Sequence, residues 1–97
     1  MFSIGFVLQE ATSQAAQNNP DTKFAVIDSV IEGKDNVVSA TFADQQSAYL
    51  AGVAAAKTSK TNHVGFIGGI KSDVLAAFET GFTAGAKSVS PDIKVDV

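Results

Sequence analysis

The sequence has no cysteine and no arginine, and only one histidine and two prolines, in 97 residues. Without cysteine there is no disulfide frame, no thiolate nucleophile, no zinc–thiolate site and no lipid-anchoring thiol within these residues. The single His63 has no acidic or cysteine partner nearby in sequence, so neither a metal nor a cofactor is expected. Basic charge consists of seven scattered lysines against ten acidic residues, a net charge of -3, which argues against nucleic-acid partners and anionic membrane surfaces. Apolar runs fall far short of the roughly 18 residues that span a bilayer. Met1–Leu8 lacks both the basic leading region and the small-residue cleavage site of a signal peptide. It reads as a strand from the first residue on, and Asp92–Val97 ends the chain in the same way, so both termini look like edges of a larger sheet.

What is present fits one soluble globular domain over residues 1–97, 45% hydrophobic and 18% charged. A domain of this size buries roughly 60 to 65% of its unfolded surface. β-Branched and aromatic runs alternate with alanine-rich stretches of helical period, the pattern of βαβ units and a parallel sheet. The spacing predicts strands at Ser3–Val7, Lys23–Asp28, Asn36–Thr41, His63–Gly68 and the Asp92–Val97 end. Helices are predicted at Glu10–Asn18, Asp44–Lys57 and Asp73–Val89. Phe24–Ile27 lacks polar alternation, which suits a strand covered on both faces. Ala48, Ala51, Gly52 and Ala55 suit close packing on the sheet, with Leu50, Val53 and Ala54 filling the core side. Val74, Phe78, Phe82 and Val89 form an apolar stripe beside Gly81 and Gly85, two glycines that suit close packing against a strand or a kink. A short repeat supports this division: Asn19-Pro-Asp-Thr-Lys-Phe-Ala-Val26 matches Ser90-Pro-Asp-Ile-Lys-Val-Asp-Val97 in pattern. Each is a Pro-Asp turn leading from a helix into a strand.

Candidate chemistry is sparse. No Gly-x-Ser-x-Gly elbow occurs, and His63 precedes a strand rather than following one, so a catalytic triad is not supported. Gly68 and Gly69 lie at a strand end, where they serve either a tight turn or a ligand that approaches the backbone. Phe6 and Asp28 sit near strand ends, where Phe6 packs in the core or stacks on a planar ligand and Asp28 opens an Asx turn or accepts a ligand hydrogen bond, with packing and the turn the favoured roles; Glu10 near a helix start complements the helix dipole. Asp44 stands where a strand hands over to a helix, at the rim where open parallel sheets bind ligands. A carboxylate there caps the helix or accepts a ligand hydrogen bond, and the residues alone leave both open.

Six blocks in order carry a resemblance: Gly5-Phe6, Pro20–Asp28, Asn36–Ser39, Phe42–Ala55, Val64–Gly69 and Phe78–Gly85. Together they resemble the basic membrane protein family of ABC-transporter substrate-binding lipoproteins, which includes purine nucleoside receptor-like members. The resemblance covers nearly the whole chain. It implies a type I periplasmic binding fold, a three-layer α/β arrangement of a parallel sheet with helices on both faces, flavodoxin-like or Rossmann-like. Members close two such lobes on a nucleoside, and these residues read as a truncated part of the N-terminal lobe. Carried over by position, Asp44 matches a ligand-contacting acidic site, Gln45 follows it as in relatives, and Gly68 and Gly69 fall on the Gly-Gly turn beside the cleft. Departures are Gln46-Ser47, where relatives usually carry Glu-Gly, and Lys71-Ser-Asp73, where a proline often follows the turn. The family's lipobox cysteine, its Asn-Asp motif and its second lobe have no counterpart here.

The resemblance thus implies a non-enzymatic nucleoside receptor, extracytoplasmic and lipid-anchored in the parent protein, which works with an ABC permease. A regulatory or interaction domain on the same fold, and a small flavodoxin-like enzyme, are the alternatives. For these residues alone, weak nucleoside binding is expected, together with homo-oligomerisation through exposed sheet edges.

Overall fold

Gly5 ends the first strand. In the computed structural model, which describes residues 1–97, it turns at φ 83°, a left-handed value open to glycine, and the chain enters a single 3-10 turn at Phe6–Leu8. β1 is therefore Phe2–Ile4, shorter than the expected Ser3–Val7 strand. α1 (Gln9–Asn18) follows at once and stops at Asn19, whose side-chain amide donates to the Ala15 carbonyl at 2.8 Å. Pro20 occupies the second position of a β-turn closed by Thr22 N–H donating to the Asn19 carbonyl at 3.1 Å, and β2 (Phe24–Ile27) begins beyond it. Asp28 adopts φ 61° and breaks the strand, and β3 (Val37–Ala40) comes after a loop.

These elements make a unit of their own, Met1–Phe42, with a parallel sheet in the order β1-β2-β3. Ser3 pairs with Val26 and Val26 with Ser39, so these three side chains share the face on which α1 buries Thr12 and Ala16. Phe24 and Val26 are buried there, while Ala25 and Ile27 on the other side are half-buried. Asn36 fastens the corner: its amide lies 3.0 Å from the Ala16 carbonyl, 3.1 Å from that of Asn19 and 3.0 Å from that of Thr22.

The second unit, Ala43–Val97, repeats the scheme. It consists of α2 (Asp44–Thr58), β4 (His63–Gly65), α3 (Asp73–Val89) and β5 (Lys94–Asp96), with β4 and β5 paired in parallel. Its Pro-Asp turn has the same hydrogen bond as the first, Ile93 N–H to the Ser90 carbonyl at 3.1 Å, so the sequence repeat is a structural one. Ala56, Ala86 and Ile93 form the core, with Val64 and Val95 packed against it.

The two long helices approach unusually closely. A Cβ on Gly81 would overlap the Gln45 carbonyl, one on Gly85 the Tyr49 carbonyl, and one on Gly52 the Phe82 carbonyl. The close packing expected of these glycines is present, but its partner is the other helix. The buried face of α2 is Ala48, Gly52 and Ala56, whereas Ala51, Ala54 and Leu50, assigned to the core side from sequence, are exposed. On α3 the buried positions are Gly81, Gly85 and Ala86, while Val89 at the end of the expected stripe is 38% exposed. The parallel strands and their helical connections define an α/β fold, and residues 1–97, read as one domain, form two compact units with separate sheets. No helix is long and apolar enough to cross a membrane.

Candidate functional site

Asp44 is the first residue of α2, not its cap. The residue before the helix is Ala43, which offers no side-chain hydrogen bond, so the first-turn N–H groups receive nothing from a capping side chain. Capping was one of the two roles open to Asp44, and the structure removes it. Its carboxylate is half-buried and accepts no hydrogen bond within the chain, although it stands at the positive end of the helix dipole. An acceptor without an internal partner, in the first turn of a helix, is available to a hydroxyl or amine from outside.

Gln45, next in the turn, packs its backbone against Gly81. Its side chain borders an open groove of about 480 Å³ between α2 and α3, together with Gln46, Tyr49, Leu50, Thr80, Gly81 and Ala84. No charged residue lines that groove.

Gly68 and Gly69 lie in the loop between β4 and α3, which begins earlier than expected because β4 ends at Gly65 instead of Gly68. Gly68 is tightly placed, since a Cβ there would stand 2.9 Å from Leu75 Cδ2 and 3.4 Å from the Phe66 ring. Gly69 has open space around it. Ser72 then caps α3 by accepting the Leu75 N–H at 3.1 Å, and the Phe66 and Phe82 rings pack with centroids 5.6 Å apart. The sequence-predicted residues thus fall at two places, the first turn of α2 and the β4–α3 loop, and no hydrogen bond joins one place to the other.

In the first unit, Phe6 and Asp28 follow the carboxyl ends of β1 and β2. Phe6, for which core packing accounted from sequence, is 47% exposed because the 3-10 turn swings it out of the strand. The Asp28 carboxylate forms no Asx turn, and the loop is held instead by Ser29 Oγ donating to Gln9 Oε1 at 2.7 Å and Gln9 Nε2 donating to the Val30 carbonyl at 2.9 Å. Gly5, one residue before the ring, permits the change of direction that exposes it, though the residues alone do not require that turn. His63, at the entrance of β4, is exposed and pairs through Nε2 with Asp96 Oδ2 at 2.7 Å, a contact between residues 33 positions apart that no local pattern announces.

The fold is that of transporter solute-binding proteins. It superposes on the crystal structure of an ABC transporter solute-binding protein from Aeropyrum pernix K1 with a TM-score of 0.81 and 26% identity, over 98% of this chain and 30% of that one. A family model described as ABC transporter substrate-binding protein PnrA-like matches residues 1–97, and the chain belongs to this family, Bmp. It is 65% identical over its whole length to the "ABC transporter nucleoside-binding protein BmpA" of Lactococcus lactis subsp. cremoris, covering 28% of that protein. It is 45% identical to the "CD4+ T-cell-stimulating antigen" of Listeria monocytogenes, covering 27% of it. With "Basic membrane protein A" of Borreliella burgdorferi it shares 42% identity over 95 residues, 28% of that protein. The chain therefore spans little more than a quarter of the length of these relatives. The family description is that of a transporter's substrate-binding protein, not of a catalyst.

Proposed function

We propose that this chain is part of an extracytoplasmic receptor that binds purine nucleosides and delivers them to an ABC permease. The observation that carries this reading is the 65% identity, across the entire chain, to a relative whose name states nucleoside binding. In this reading residues 1–97 supply part of the N-terminal lobe of a two-lobe protein, anchored to the membrane by a lipid elsewhere in the polypeptide. Asp44 accepts a ligand hydrogen bond, Gln45 offers its amide, and Gly68 and Gly69 present backbone groups. The free, half-buried carboxylate of Asp44 supports that role, because it has no internal duty to give up.

Alone, the 97 residues enclose too little of a ligand to bind it tightly, since affinity requires most of the ligand surface to be buried. They self-associate through open sheet edges, where unpaired backbone groups attract further strands. Calorimetric titration of inosine, adenosine and guanosine into the complete polypeptide carrying this sequence, and into the chain itself, tests the reading. Saturable binding by the former and binding about 100-fold weaker or none by the latter is expected. A complete polypeptide that binds no nucleoside contradicts the function, whereas micromolar binding by the chain alone contradicts the incompleteness of its site. A strictly monomeric sedimentation profile at high concentration contradicts the self-association.

A further inference from the structure

Three glycines bring α2 and α3 together, and one of them does so at the candidate site. Gly81 and Gly85, four residues apart on α3, meet the backbones of Gln45 and Tyr49, also four apart on α2, so the two helices run side by side in the same direction. Gly52 meets the backbone of Phe82 in the same way. At Gly81 a Cβ would stand 2.8 Å from the Gln45 Cα and 2.9 Å from its carbonyl carbon, well inside ordinary van der Waals contact. The opposing atoms belong to the main chain, which cannot rotate aside as a flexible side chain does. Any larger residue at position 81 therefore moves the turn that carries Gln45.

We infer that Gly81 is a positioning residue for ligand binding, which sets where the first turn of α2 holds the Asp44 carboxylate. The inference rests on the reading of Asp44 as a ligand contact. Asp44 is joined to Gln45 by one planar peptide bond within the helix, so a displacement of one is passed to the other. Helix ends fray, and this one has no capping side chain to hold it. Its local hydrogen bonds, from the Gln46 N–H to the Ala43 carbonyl and from Ser47 Oγ to the Asp44 carbonyl, both at 2.9 Å, fix the shape of the turn but not its place. The seat against Gly81 supplies the place, because backbone packed on backbone leaves no side-chain rotamer to slacken.

Small displacements matter at such a site. A hydrogen bond weakens steeply as its angle degrades, and binding groups have to be held within about 0.5 Å of their working geometry. Ordinary contact for a Cβ begins near 3.4 Å, so relieving the overlap at position 81 moves Gln45 by an amount comparable with that tolerance. Gly85 is the comparison that the fold itself provides. It makes the same kind of approach to Tyr49, one helical turn further from Asp44, and a push there leaves the contact of Gly81 with Gln45 intact. Gly85 thus serves the packing of the two helices, whereas Gly81 serves the site as well.

Calorimetric titration of inosine into the complete polypeptide carrying this sequence tests the inference, with Gly81→Ala and Gly85→Ala measured side by side. Gly81→Ala is expected to bind about tenfold more weakly and Gly85→Ala within about twofold of the unvaried protein, although both lose folding stability to a similar extent. Because Gly81 acts through Asp44, Gly81→Ala and Asp44→Ala combined lose less than the product of their separate factors. A measurement on the unvaried protein covers a Gly81→Ala variant that does not fold: with isotope-labelled glycine, saturating inosine moves the Gly81 amide signal in NMR and leaves that of Gly85 in place. Equal losses from the two alanine variants, losses that multiply, or a stationary Gly81 signal overturn the inference while the role of Asp44 stands. Undiminished inosine affinity in Asp44→Ala overturns the reading on which the inference rests, and the two failures are thereby distinguished.

Discussion

At Asp96, side chains reinforce the backbone pairing of two strands. The hydrogen bond from His63 at 2.7 Å holds the Asp96 carboxyl below its ordinary value against the opposing effect of desolvation, with the charge of Lys94 adding to the lowering. A carboxylate with a depressed folded pKa contributes stability that is present above its unfolded value of about 3.9 and is lost as pH falls through the lower folded value. The urea midpoint of the chain is therefore expected to drop on acidification below about pH 4, with Asp96→Asn removing part of that slope. Identical slopes would show that the pair contributes nothing, and its exposure keeps the expected effect small. Asp44 is the opposite case, a carboxylate without an internal partner. Asp44→Asn should leave thermal stability within about 0.5 kcal/mol, and a larger loss would reveal a structural role.

Between elements, the contact of α2 with α3 depends on glycines. Alanine normally improves a helix by up to about 1 kcal/mol over glycine, but overpacking costs about 1–3 kcal/mol, and the overlap at Gly85 involves a backbone carbonyl that cannot rotate away. Gly85→Ala is expected to lower the unfolding free energy in urea by about 1–2 kcal/mol, while Gly69→Ala, with open space around it, stays within about 0.5 kcal/mol. Equal effects would refute the close approach as the reason for Gly85. The sequence made this approach legible, because glycine inside a helix needs a compensating contact, but it did not reveal what lies opposite. In a helix as rich in alanine as α2, one face differs little from the next, so Ala51 and Leu50 were as plausible in the core as Ala48 and Ala56. The Pro-Asp turns were legible for the contrary reason: proline and aspartate restrict the backbone locally, and both turns close with the same 3.1 Å hydrogen bond. Strand ends at Gly5 and Gly65 escaped notice because glycine permits a turn without requiring one.

For the whole molecule, six ordered blocks of sequence pointed to the family that the full-length match establishes. The division into two units left no such trace, because no linker composition marks Phe42 and Ala43. The Asp44 position was legible as special, while its freedom from capping emerged only from the backbone around Ala43. A charged hydrogen bond to a ligand hydroxyl contributes about 1.5–3 kcal/mol, or roughly 10- to 100-fold in affinity. The decisive measurement is calorimetry of inosine and its deoxy analogues with the complete polypeptide and its Asp44→Ala variant. The account predicts that the variant loses roughly 10- to 100-fold for inosine and no longer distinguishes it from the analogue lacking the contacted hydroxyl. Unchanged inosine affinity in Asp44→Ala would contradict it.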